Sequence, residues 1–152
     1  MKDTNNLLTD NQWSGTDYLG NNTGFVGYNT ANTLREPTNE WSSLGENSLR
    51  ITRLTNSSYW VRVYYSNSIK SKIVTAKATI KTTNSNVKAY LFEIDGSATV
   101  QTIEVTIPAG TVFNVNLSLT SGNNNTRFAL HTSTLGPIGD VYYIDNISIF
   151  SS

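Results

Sequence analysis

Three short segments set aromatic rings beside cations at the two-residue spacing of a β-strand. In Tyr59–Tyr65 (YWVRVYY), Trp60, Arg62 and Tyr64 share one face, and Val61 and Val63 share the other. In Val87–Ile94 (VKAYLFEI), Lys88, Tyr90 and Phe92 oppose Ala89 and Leu91. In Arg127–Thr132, Arg127, Ala129 and His131 oppose Phe128 and Leu130. If these strands lie in one sheet, its outer face interleaves rings with Arg, Lys and His. A pyranose needs that chemistry: its C–H face stacks on Trp or Tyr, and its hydroxyls take hydrogen bonds from planar polar groups. A competing reading covers Trp60, Tyr64 and Tyr90 with residues 10–47, as a second small core. Base stacking on single-stranded nucleic acid would need a surplus of positive charge that the chain lacks.

A second chemical candidate is a carboxylate in the last apolar segment, Val141–Phe150. Asp145 stands two residues from Tyr143 and from Ile147, in phase with Ile149. If those side chains point into a core, Asp145 does too. A buried carboxylate needs a partner, since an unpaired one would protonate instead. A hard, oxygen-coordinated cation such as calcium is one choice. Arg50 or Arg53 is another, and backbone N–H groups near a sheet edge are a third.

Catalytic chemistry finds little support. The chain has one His and no Cys, which excludes a His/Cys zinc centre. There is no G-x-S-x-G and no phosphate-binding G-x-x-x-x-G-K-[ST]. A glycosidase needs two carboxylates across a cleft; Glu93/Asp95 or Glu36/Glu40 could be paired, but nothing marks them. The expectation is a protein that binds without catalysis. Five N-x-[ST] sequences, at Asn21, Asn56, Asn116, Asn124 and Asn146, are no more than the abundance of Asn, Ser and Thr produces by chance.

The elements that must position these groups are strands. The chain has 152 residues, of which 19 are Asn, 21 Thr and 17 Ser, a mixture that suits half-exposed strands joined by polar turns. Sixteen aromatics give a core something to bury. Period-two alternation recurs through Ser48–Leu54, Tyr59–Tyr65, Lys72–Lys81, Val87–Ile94, Gln101–Ile107, Thr111–Thr120, Arg127–Thr132 and Val141–Phe150. Turn-rich sequences such as Asp95-Gly96-Ser97 and Pro108-Ala109-Gly110 separate them. Residues 10–47 are mostly polar, with one or two short strands expected near Gly24–Tyr28 among long loops, and no helix of three turns is readable. Eight to ten strands in residues 1–152 predict one all-β domain, an antiparallel β-sandwich with jelly-roll topology.

Eleven basic residues balance eleven acidic ones, so the expected partner is neutral rather than nucleic acid or an anionic membrane surface. No apolar run approaches the length of a membrane span, and Met1-Lys2-Asp3 does not begin a secretory signal. The chain reads as a piece of a larger protein.

Three places resemble the carbohydrate-binding modules of the family 4/9/22 type, the CenC-like β-sandwiches. Asn6-Leu7-Leu8-Thr9 opens the chain ahead of Trp13, Ser48-Leu49-Arg50-Ile51-Thr52 is similar to the family's small-Leu-basic-Ile strand, and Tyr142-Tyr143-Ile144-Asp145-Asn146-Ile147 is similar to its closing pattern. Asp10-Asn11-Gln12-Trp13 departs from the Phe-Glu or Phe-Asp that usually follows the opening strand. The resemblance implies a concave sheet face that binds a polysaccharide or oligosaccharide, with Arg127 and His131 as groove polar positions and Tyr90 and Asn67 close to two more. It also implies a structural calcium, with Asp145 as its aspartate and Thr9 and the backbone near Asn47 among its ligands. A module of this kind is extracellular, at a cell surface or on a virion, and is often appended to a glycoside hydrolase. The alternative function is a structural or adhesive domain of a cell-surface or phage tail protein.

Overall fold

The alternating segments form strands because each must bury one face, and a period of two gives a strand one apolar face and one polar face. The computed structural model describes residues 33–43, 48–55, 59–66, 72–96, 98–122, 125–132 and 137–151, with the main chain alone for 35, 37 and 59–66. The strands are β1 (Thr33–Thr38), β2 (Ser48–Arg53), β3 (Tyr59–Ser66), β4 (Ile73–Thr82), β5 (Val87–Asp95), β6 (Ala98–Ile107), β7 (Val112–Thr120), β8 (Asn125–Thr132) and β9 (Val141–Ser151). The described residues contain no helix. The Gly24–Tyr28 strand lies outside them.

Two antiparallel sheets face each other, one ordered β1-β2-β9-β4-β7 and the other β3-β8-β5-β6. From β2 onward the pairs nest: β5 with β6, β4 with β7, β3 with β8, β2 with β9. A long hairpin wrapped around itself gives this order, which is the jelly roll. The innermost turn is tight. Asp95 pairs with Ala98, and Gly96 takes the positive φ (60°) that a side chain would resist.

Between the sheets lie the predicted apolar residues Leu49 and Ile51, Val74, Ala76, Ala78 and Ile80, Ala89 and Leu91, Phe128 and Leu130, and Ile147 and Ile149, joined by Ile144, which strict alternation places on the opposite face from Ile147 and Ile149. Burying an Ile, Leu or Phe completely stabilises the fold by about 1.5–3 kcal/mol. The alternation fails at β6, whose Ile103 faces the core side but keeps 39% of its surface exposed. Strand β6 is an edge, and nothing among the described residues covers its far end.

Three β-bulges break the period. In β3 the register skips Val63, in β6 it skips Val100, and in β9 two residues, Asn146 and Ile147, stand opposite Ala78. A bulge moves every later side chain to the opposite face. Two of the three alter the candidate site residues.

Candidate binding face

The three aromatic-bearing segments do share a sheet, as neighbours β3, β8 and β5. Their register builds rows across it. Trp60, His131 and Lys88 form the first row, Arg62, Ala129 and Tyr90 the second, and Arg127 and Phe92 belong to the third. The bulge changes the β3 member of that third row. Tyr64 pairs with Phe128, whose ring is in the core, and Tyr65 takes the register position level with Arg127. Asn67 lies outside the described residues.

Strand β5 carries the aromatic centre. Tyr90 and Phe92 are half-buried and Lys88 is exposed. The Tyr90 ring meets the His131 ring edge-on, with centroids 6.4 Å apart and planes at 86°. On the next strand, Glu104 is the register partner of Tyr90 and accepts its hydroxyl. Burial, and then this bond to a carboxylate, push the Tyr90 phenol up to about 12. His131 shifts downward, because burial and then the Lys88 ammonium both disfavour the imidazolium. The imidazole is therefore neutral at neutral pH, with a donor and an acceptor to offer. Ala129, the small residue between His131 and Arg127, keeps only 4% of its surface and forms the floor of the middle row. Rings, a neutral imidazole, two cations and an oriented carboxylate give this face stacking surface with donors and acceptors beside it.

Asp145 is buried at 1%, but not where its spacing placed it. It pairs with Thr79, one step from the core pair Ile80–Ile144, so it lies on the outer face of its sheet with Tyr143. The β9 bulge is the reason: Asn146, at φ 52°, takes up the extra residue, and Ile147 and Ile149 resume the inward phase. What covers Asp145 is the segment 40–43. Ser43 donates its N–H (2.8 Å) and its hydroxyl (3.2 Å) to Asp145 Oδ2. A backbone N–H, one of the three partners expected for this carboxylate, is thus seen on it, and on a central strand rather than at a sheet edge.

Arg50 bonds instead to Glu36 and Glu40, which push its guanidinium further up. Glu40 is held below the usual carboxylate range by Arg50 first and by the Tyr143 hydroxyl (2.9 Å) second. Trp41 packs on Tyr143 at 5.9 Å, with the Lys81 ammonium about 6 Å from both rings. Glu36 and Glu40, a formal carboxylate pair in the sequence, thus anchor a strap across the outer face of β2, β9 and β4. Arg53 is buried and bonds the Thr55 carbonyl at 3.2 Å. The sequence carried no signal for this strap, because polar residues 33–43 have no strand-like alternation.

Calcium takes six to eight oxygens; Asp145 and the Ser43 hydroxyl are on hand, and Thr9 and Asn47 lie outside the described residues. No group of three His, Asp or Glu that could hold a metal occurs among the described residues.

No protein-family model matches the chain, and no curated protein matches it. Solved structures do. The chain is similar to the enzymatically active domain of tailspike protein 4 of bacteriophage CBA120 (TM-score 0.60, 13% identity, 79% of this chain). It is similar to the CBM22-1 xylan-binding domain of Paenibacillus barcinonensis Xyn10C (TM-score 0.58, 15% identity, 82% of this chain and 84% of that one). It is also similar to TmCBM61, solved with β-1,4-galactotriose (TM-score 0.54, 14% identity, 83% and 86%). The chain spans 18% of the tailspike domain and 25% of an arabinose-bound GH51 α-L-arabinofuranosidase that it also resembles, but most of the length of the two modules. At these identities the likeness is one of fold, and the chain has the β-sandwich fold of carbohydrate-binding modules.

Proposed function

We propose that this domain is a non-catalytic carbohydrate-binding module that takes a polysaccharide or oligosaccharide across the outer face of β3, β8 and β5. The observation that carries this reading is the β5 row of Tyr90 and Phe92, laid beside His131 and Arg127 of β8 on one sheet face. Carbohydrate-binding neighbours of nearly the same length support it. Equal numbers of acids and bases support a neutral glycan, and the company such modules keep supports an extracellular, cell-surface or virion setting beside a glycoside hydrolase. A glycan array covering plant, microbial and host sugars is the test. Binding that Tyr90→Ala and Trp60→Ala each weaken about tenfold or more is the expected result. Unchanged affinity in both variants refutes the face.

The proposal extends to a structural calcium on Asp145, supported by the burial of that carboxylate with a second oxygen, that of Ser43, beside it. A melting temperature raised by calcium and lowered again by a chelator is expected; no response to either refutes it.

The tailspike likeness favours one other reading, an adhesive domain of a phage tail or surface protein that contacts protein through the same face. Silence across the glycan array selects that reading.

A further inference from the structure

The outer face of the other sheet presents Lys77 on β4 and Asn114 and Asn116 on β7 to solvent. Around the β9 bulge it is not flat. A depression of about 340 Å³ opens there, lined by Lys77, Thr79, Asn114, Asn116, Asn146 and Ser148. The register explains how six polar side chains converge. Asn116, Lys77 and Ser148 form one row across β7, β4 and β9, and Asn114 and Thr79 lie in the next, with Asp145 behind them. At the bulge Asn146 is added to β9 without a partner of its own on β4, in the left-handed conformation (φ 52°). Asn tolerates that conformation better than most residues, and bulges often re-aim side chains beside binding sites.

Two details show what the depression would take. Thr79 donates its hydroxyl to Asn114 Oδ1 at 3.0 Å, which fixes that carboxamide and leaves its NH2 to donate elsewhere. One row further, Thr75 and Ser118 satisfy each other at 2.8 Å and close the face. Lys77, Asn114, Asn116 and Asn146 are exposed, so the site is rich in donors that face solvent. The described residues that line it include no aromatic ring and one charge, on Lys77. Ligand pockets run from about 300 to 1,000 Å³, so this one suits a single small molecule rather than a polymer.

We propose that this depression is a second saccharide site, on the sheet opposite the first, which holds one or two sugar units by hydrogen bonds alone. A sugar acid suits it best, because Lys77 is the one charged residue among those that line it. The site does not depend on the first face binding anything. With no stacking surface its affinity is weak, with a Kd of about 1 mM.

The experiment is an amide chemical-shift titration of the whole domain with glucose, galactose, xylose, arabinose and glucuronate, one at a time. The domain is made in a host that does not N-glycosylate, since Asn116 and Asn146 each begin an N-x-S sequence. At least one sugar, glucuronate above all, is expected to shift residues 77–79, 114–116 and 146–148 along a saturating curve. The double variant Asn114→Ala/Asn116→Ala abolishes those shifts, and Tyr90→Ala leaves them intact. Both asparagines are exposed on an edge strand, so the double variant should fold. Asn146→Gly, which keeps the left-handed backbone and removes the amide, weakens binding independently. The proposal is overturned if no sugar moves these amides, if the shifts survive the double variant, or if glycerol produces them equally. Shifts confined to β5 and β8 overturn it while leaving the first face standing.

Discussion

Asp140 is the last residue before β9, and its carboxylate gathers the β4–β5 turn onto that strand. Oδ1 accepts the Thr83 hydroxyl (2.6 Å), the Asn84 N–H (3.3 Å), the Asn84 side-chain amide (3.2 Å) and the Val141 N–H (3.0 Å). Oδ2 accepts the Ser85 hydroxyl. The Thr83 hydroxyl also lies 2.5 Å from the Val141 carbonyl, and its one proton serves both acceptors. Asp140→Asn keeps the shape and removes the charge. A charge-assisted bond is roughly twice as strong as a neutral one, whose net contribution is about 1 kcal/mol, so losing the charge forfeits up to about 1 kcal/mol per donor. The carboxylate is only partly buried and the amide keeps one accepting oxygen, which brings the expected loss to about 2 kcal/mol. Burial alone would raise this pKa, but the Ser85, Thr83 and Asn84 bonds outweigh it and hold the carboxyl below its ordinary value. The folded state therefore releases the Asp140 proton at lower pH than the unfolded chain does. Its contribution is complete above the unfolded carboxylate value of about 3.9 and disappears as pH falls through the folded value. Urea melts of both proteins from about pH 7 down to about pH 3, followed by tryptophan emission, measure this directly. The difference should be largest near neutrality and shrink in acid. A difference under about 0.5 kcal/mol, or one that does not vary with pH, would refute the clamp.

Four further outcomes are expected. Gly122 donates its N–H to the buried Glu93 at 2.8 Å, and a Cβ there would stand 2.8 Å from the same oxygen, Oε2. Gln101 holds the other oxygen at 2.8 Å, so Gly122→Ala should cost about 1–3 kcal/mol, read as a lower melting temperature. Phe128→Ala removes a fully buried ring and should cost about 3–5 kcal/mol, checked by denaturant midpoint. The imidazolium of His131 is disfavoured in the fold, so the unfolded chain binds that proton more readily and stability falls as pH drops below about 6.5. His131→Gln should flatten the stability profile between about pH 6.5 and 5, and an unchanged slope would count against a half-buried imidazole there. Tyr90→Phe, which keeps the ring and loses the bond to Glu104, should retain more affinity for a bound glycan than Tyr90→Ala, measured by calorimetry.

Eight of the nine strands among the described residues were legible because a period of two, the mark of one-sided burial, runs through their sequences. Strand β1 was not, because it inverts the rule. Thr33 is buried at 4% while Leu34 is 47% exposed, and Pro37 is tolerated because β1 is an edge. The grouping of Trp60, Tyr90 and Arg127 on one sheet was legible only as a condition, since alternation within a strand does not say which strands are neighbours. The bulges defeated phase. Val63 and Asn146 are ordinary residues locally, and only the partner strand reveals that they are unpaired. Burial of Asp145 was therefore readable while its side of the sheet was not. The depression beside Asn146 was missed for the same reason: Asn114, Asn116 and Lys77 look like plain solvent residues until the extra β9 residue brings a third strand's side chains beside them.

Nesting also constrains how the molecule is made. Strand β9 lies between β2 and β4, and its partner residues Leu49 and Ile144 are far apart in sequence. During synthesis β2 and β4 emerge well before the strand that separates them. Each then presents an open ladder of N–H and C=O groups on what becomes the middle of a sheet. The β5–β6 hairpin can close at once, but the β2–β9 pair must wait and bear the entropy of the longest loop in the nest. A ribosome that stalls before Val141 thus releases a half-sheet with two sticky inner edges. Those edges stay open until β9 is made and inserts between them.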